Sequence, residues 1–181
     1  MDIFCEYMVK HKKTMKDNLI AVGLVCLALL LSLILIFVML TVKTGLGGIL
    51  LLLLVGVWYG AVYLIRRRNL EFEYILTNGV LDIDKIMARS ARKRVISINF
   101  KDIDVCAPAK DENFRHKLEN KDSGAKILDL SGNIEDDNVY FVELVKEGQL
   151  FRVFFQPNAN ILNGIKHANP RQVTVREADL A

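Results

Sequence analysis

Residues 74–83 read Tyr74-Ile75-Leu76-Thr77-Asn78-Gly79-Val80-Leu81-Asp82-Ile83. Upstream, Leu70 and Phe72 continue the alternation of Tyr74 and Leu76 with Glu71, Glu73 and Ile75, and a period of two marks a half-buried strand. Asn78-Gly79 is the strongest short hairpin signal, because a type I′ turn needs positive φ at both central residues. With Thr77 opposite Val80, Leu76 faces Leu81 and Tyr74 faces Ile83. The apolar side chains then gather on one sheet face with no slip of register. An antiparallel β domain therefore starts near residue 69.

Further along, residues 95–100 read as a third strand, rich in β-branched side chains. A basic connection carrying Arg89, Arg92, Lys93 and Arg94 leads into it. Residues 102–107 suit a short fourth strand, and residues 108–125 a long polar loop with a helical turn near 114–118. A strand at 126–130 and a turn-rich patch at 131–138 follow. Residues 139–145 and 150–155 form a second hairpin around Lys146, Glu147, Gly148 and Gln149. Pro157 stops the last strand, and Asn158 or Asn160 caps a helix carrying Ile161, Leu162 and Ile165. Lys166 and His167 suit the negative end of that helix, which Asn169-Pro170 terminates. Residues 170–181 read as a tail. The expectation is about seven short strands and one C-terminal helix, with all strands antiparallel in a small barrel or sandwich over residues 69–169.

Upstream the character changes. Of 181 residues, 52% are apolar and 25% charged, yet no charge falls within residues 19–42 or 45–65. The first run is 24 residues, roughly 36 Å of helix, and crosses a hydrocarbon core of about 30 Å with some tilt. The second, residues 46–65, has 20 and also spans. Residues 43–45 leave room only for a turn, so the pair forms an antiparallel hairpin with both ends on one side. Lys10, Lys12, Lys13, Lys16, Arg66, Arg67 and Arg68 flank those ends, against Lys43 alone at the turn. The positive-inside rule then puts both termini in the cytoplasm of a multi-pass plasma-membrane protein. A cleaved signal is excluded by the length of the run and by the second span. Residues 1–18 have Ile3, Phe4, Tyr7, Met8, His11 and Met15 at helical spacing, which predicts an amphipathic arm in the interface. Residues 66–68 form a basic flank.

The hairpin of residues 74–83, with residues 95–103 after it, resembles the opening of bacterial pleckstrin-homology-like (PH-like) domains of small membrane proteins. Those proteins often place two transmembrane helices directly before the domain. The resemblance covers residues 69–169 and the helical hairpin. It implies a membrane-tethered binding module with no assigned reaction. Lipid-reading eukaryotic PH domains resemble phosphate clamps built on a long basic loop between the first two strands. Here that connection is Asn78-Gly79, too tight for a stereospecific inositol-phosphate pocket.

Candidate sites follow from charge. Residues 66–101 hold nine Lys/Arg and four Asp/Glu, a net +5, while residues 102–181 hold ten and fourteen, a net −4. Arg66, Arg67, Arg68, Arg89, Arg92, Lys93 and Arg94 thus form the candidate surface for anionic lipid headgroups or a protein partner. A solvated loop and a topology signal are the plainer alternatives. Nucleic acid is not expected, since no aromatic platform accompanies the cluster. In the spans, Gly56 and Gly60 form a GxxxG pair with Ala28 at similar depth. That pattern suits packing within the hairpin or, more sharply, a homo-oligomer. The spans hold no acid, base or histidine, which leaves no material for a proton relay or an ion path.

Cys5, Cys26 and Cys106 suit no disulfide framework, and neither a metal-ligand spacing nor a cofactor motif occurs. Cys5 is read as buried or inert, with palmitoylation the alternative. His11, His116 and His167 belong to no hydrolase or metalloprotease pattern. The functional expectation is a non-enzymatic membrane protein presenting a PH-like module at the inner leaflet. An accessory subunit of a larger membrane complex is the alternative, and an enzyme ranks last.

Overall fold

The computed structural model describes residues 3–13, 15–41, 45, 47–88, 91–119 and 124–180. The chain divides into a helical unit, residues 13–69, and a β-rich unit built from residues up to 12 together with those from 70 onward.

In the helical unit, α1 (Met15–Thr41) has 27 residues and α2 (Gly47–Arg67) has 21, both long and apolar enough to cross a membrane. They run antiparallel, because Asp17 near the start of α1 binds Arg68 just past the end of α2 at 2.7 Å. Ala28 and Ser32 of α1 and Ala61 of α2 are buried in the seam. The Ser32 hydroxyl donates to the Ala28 carbonyl at 2.7 Å and accepts from the Trp58 indole N–H at 3.1 Å. Most remaining apolar side chains, among them Leu33, Leu40 and Leu52, are exposed, as lipid-facing positions require. Both helices outrun the expected spans on the basic side, α1 starting at Met15 and α2 reaching Arg67. The expected turn at 43–45 falls mostly outside the described residues.

Two four-stranded sheets make the β unit. The first contains β1 (Phe4–Lys10), β2 (Leu70–Thr77), β3 (Val80–Met87) and β4 (Ala91–Asn99), in that spatial order. The second contains β5 (Val105–Pro108), β6 (Lys126–Asp129), β7 (Tyr140–Lys146) and β8 (Gln149–Phe155), ordered β5-β7-β8-β6. The opening hairpin has the expected register, Thr77 with Val80, Leu76 with Leu81 and Tyr74 with Ile83. Asn78 and Gly79 have φ of 49° and 86°, the two positive values of a type I′ turn. Glu147 and Gly148 repeat this at 53° and 77° in the β7–β8 hairpin. Between the sheets, Phe100, Tyr140, Val142, Val153 and Phe155 pack with the inner faces of β2, β3 and β4. Tyr74 is wholly buried there; its hydroxyl donates to the Leu130 carbonyl at 2.7 Å and accepts from the Gln156 N–H at 3.1 Å.

Four expectations are corrected. The amphipathic helix of the 1–18 arm is instead β1, which pairs with β2 from Phe4↔Thr77 to Lys10↔Glu71. Helical and strand spacing coincide over so short a segment. The unpaired edge of β2 decides between them, taking in Cys5, Tyr7 and Val9 on the core side. The seven strands expected over residues 69–169 are present as β2 to β8, and β1 brings the described strands to eight. One of them is not antiparallel, because β6 runs parallel to β8. After β5 the chain crosses a short 3₁₀ turn (Glu112–Phe114) and α3 (Arg115–Glu119), reaching the far edge of the sheet in the direction of β8. The basic connection before the third strand is mostly β4 itself, since Arg92, Lys93 and Arg94 belong to that strand and Arg89 lies outside the described residues. Lastly, the tail is packed. Cys106 exchanges backbone hydrogen bonds of 2.8 Å with Gln172 and Thr174, which covers the β5 edge, and Val173 is buried. Tyr140 donates to Asp179 at 2.6 Å; burial first, and then this carboxylate, pushes its hydroxyl up to about 12.

Helix α4 (Ala159–Ala168) starts on Asn158, whose side chain accepts from the Ile161 N–H. It packs on β1 and β2 so closely that a Cβ at Gly164 would lie 2.4 Å from Leu76. Gly132 is equally confined, with Val9, Lys10 and Gln156 within 3.0 Å of any added Cβ.

Two outcomes test this fold. At Gly79 an added Cβ would meet Ala168 at 2.9 Å on a φ of +86°, so Gly79→Ala costs about 1–3 kcal/mol in denaturant unfolding. A soluble piece starting at residue 69 lacks β1 and exposes the β2 edge. It aggregates, or melts at least ~10 °C below a piece in which a short glycine-serine turn joins residues 3–12 to residue 70.

Candidate functional site

The outer face of the first sheet carries a charge lattice. Register shifts between Ile83 and Asp84, so Ile83 faces Ile96 while Asp84 faces Arg94 and Val95 is the extra residue. That bulge turns the strand. Ile96 and Ile98 point into the core, and Arg92 and Arg94 lie on the outer face with Asp82, Asp84 and Glu73. Arg94 binds Asp82 at 2.7 Å and Asp84 at 2.9 Å. Arg92 donates to Glu73 Oε1 at 2.6 Å and forms an ion pair with that carboxylate, whose buried Oε2 accepts no hydrogen bond among the described residues. Glu73 and Asp84 are buried beneath these guanidinium groups. Desolvation raises the Glu73 carboxyl above the ordinary glutamate value, as do a hydrogen bond shared with Glu6 and the charge of Asp84, while Arg92 opposes the shift. The Arg94 guanidinium is held protonated more firmly by its hydrogen bond to Asp84.

The seven basic residues expected to form one surface belong to both units of the chain. Arg92 and Arg94 are neutralised within the sheet, and Lys93 is exposed on the same strand. Arg89 lies outside the described residues. In the helical unit, Arg68 is paired with Asp17, Arg67 lies 5.5 Å over the Tyr63 ring, and Arg66 lies in the last turn of α2. The carboxylates that matter escaped the sequence reading. Their signal was present, because Glu73, Asp82 and Asp84 occupy outward positions of the two strands that the Asn78-Gly79 hairpin had already aligned.

Of the three packing residues, Ala28 is in the seam, but a Cβ at Gly56 or Gly60 would meet nothing within 4 Å. The hairpin reading of the glycine pair is thus corrected. α1 does not use that face, because the side chains of Trp58 and Ala61 make the contact instead.

The second sheet closes its own outer face. Glu143 and Arg152 are cross-strand partners, bound at 2.6 Å and both buried. Arg152 also donates to the Lys117 and Leu118 carbonyls, which ties α3 over Phe141 and Phe154. Cys106 is wholly buried and its thiol is pushed well up by desolvation, the opposite of what a thiolate nucleophile needs. Among the described residues, no three Asp, Glu, His or Cys side chains converge as metal ligands.

Where β4 and β6 border the open side of the sandwich, a groove of about 400 Å³ runs between them. Val95, Leu128 and Phe151 supply its apolar wall, and Lys126, Lys146 and Glu147 its charge. The Lys126 ammonium lies 5.6 Å over the Phe151 ring.

These features define a PH-like sandwich that carries two membrane-length helices between its first and second strands. The chain matches the bacterial PH-like domain family DUF6106 over residues 1–175, and it belongs to that family. Neither a curated protein nor a solved structure matches it.

Two substitutions test the lattice. Arg94→Ala leaves buried Asp84 without its ion pair and lowers the denaturant midpoint of the spliced soluble domain, an effect moderated because the guanidinium is half exposed. Glu73 has a folded-state value above its unfolded one. Its stabilising share is therefore full at acidic pH and lost as pH rises through the folded value. Glu73→Gln removes that decline, read from unfolding curves of the spliced soluble domain across the acidic range.

Proposed function

We propose that this chain is a non-catalytic integral membrane protein that presents a PH-like module at the cytoplasmic surface and docks a protein there. The observation carrying this reading is the place of the helices. They interrupt the module between β1 and β2, whose ends Lys10 and Leu70 are neighbours, the His11 N–H donating to the Leu70 carbonyl at 3.0 Å. The module is thus attached to the bilayer by two chain connections, residues 11–14 and 68–69. Seven basic residues at this end, against one at the turn, support the cytoplasmic side.

A protein partner is favoured over lipid because Arg92 and Arg94, two of the candidate headgroup cations, are already bound to Glu73, Asp82 and Asp84. The accessory-subunit reading keeps one support of its own. The glycine face of α2 is vacant and accepts a further helix, from a second copy or from another membrane protein.

Topology is tested with single cysteines in a chain whose Cys5, Cys26 and Cys106 are replaced. An impermeant maleimide labels Gly45→Cys from outside intact cells and reaches Gly124→Cys only after permeabilisation. The reverse pattern rejects the cytoplasmic placement. For lipid, the spliced soluble domain floats equally poorly with neutral and anionic vesicles. Salt-sensitive flotation lost in Arg92→Ala/Arg94→Ala reinstates a headgroup surface.

A further inference from the structure

Sheet edges are the exposed hydrogen-bonding surface of this module, and they are unequally protected. The β5 edge is covered by residues 172–174, and α4 packs on β1 and β2. Among the described residues, β4 pairs only with β3 and β6 only with β8. Both of these unpaired edges border the same groove, since Val95 and Ile96 of β4 and Lys126 and Leu128 of β6 line it. We infer that this groove receives an extended acidic segment of a partner protein, which adds to the sandwich as a further strand between β4 and β6. The inference rests on the binding-module reading and names the partner chemistry of that module.

Three features select this occupant. An edge offers backbone donors and acceptors at strand spacing, so an extended chain satisfies them with main-chain hydrogen bonds whatever its sequence. Val95, Leu128 and Phe151 are half-buried and take alternate apolar side chains, as a strand presents them. The charge selects the sign. Lys126 and Lys146 outnumber Glu147 at the groove, and Lys93 lies two positions from Val95 on the β4 edge. Like-charged edges repel, so these lysines oppose pairing with a second copy of the same edge and leave it open to an acidic strand.

The test uses the full chain in neutral detergent micelles and labelled synthetic peptides alternating glutamate with valine. Peptides alternating lysine with valine, and the acidic peptide with proline at every second valine, serve as controls. Expected are saturable anisotropy binding by the acidic peptide alone and increased hydrogen-exchange protection confined to β4 and β6. Lys126→Glu/Lys146→Glu weakens binding about tenfold or more while core amides keep their protection. Equal binding by the lysine or proline peptide overturns the inference. So does protection elsewhere, or no binding up to about 1 mM. Soluble anionic-lipid micelles that protect β4 and β6 where the peptide does not would assign the groove to lipid. Cysteine labelling of topology is read separately, so failure of the peptide and failure of the membrane-module reading are told apart.

Discussion

The pairing of β1 with β2 is the constraint from which the architecture follows. Seven register pairs join residues 4–10 to residues 71–77 across the whole length of two membrane-long helices. Because the two strands are antiparallel neighbours, the chain must leave and return at one end of the sheet, and the helices between them must double back. The local antiparallel packing of α1 and α2, held by Asp17 with Arg68 and by Ser32 with Trp58, is the helical counterpart of that condition. Loop-closure entropy makes such a distant pairing slow to form. The hairpin's own packing shortens the effective loop by bringing its two ends together.

Much of this was legible where one signal dominated. Alternation over residues 70–83 and the Asn78-Gly79 turn determine a register to the residue, since a slip of one would bury the carboxylates and expose Tyr74, Leu76 and Leu81. The two long apolar helices are equally plain in length and charge. What stayed hidden depended on distant partners. Residues 4–10 satisfy both helical and strand spacing, and only the vacant edge of β2 selects the strand. Arg92, Lys93 and Arg94 hide β4 because three successive cations carry no period and the bulge at Val95 shifts the one that follows. The parallel direction of β6 is set by the crossing of α3, anchored through Arg152, which no local pattern around Lys126 records.

Charge shows the same dependence on context. Arg92 and Arg94 look like a lipid-binding run when counted along the chain, but on the sheet each lies against carboxylates from neighbouring strands. The two sheets treat buried charge differently. In the second, Glu143 and Arg152 are enclosed by α3, and Arg152 spends its remaining donors on two backbone carbonyls. In the first, Glu73 shares its site with Glu6 and Asp84 as well as Arg92, so the lattice holds more negative than positive charge on its buried members. Buried pairs with every donor used are costly to break. The first lattice keeps a residual repulsion that protonation relieves.

The interruption of the sheet by the helices also makes the module a gauge of its own insertion. A chain in which only one helix had crossed would leave β1 and β2 on opposite sides of the bilayer. The sandwich would then lack its first strand, with Val9 and Tyr7 without their core and β2 offering a bare edge to proteases and aggregation. A complete sheet is thus compatible with two crossings of a bilayer or with none, but never with one.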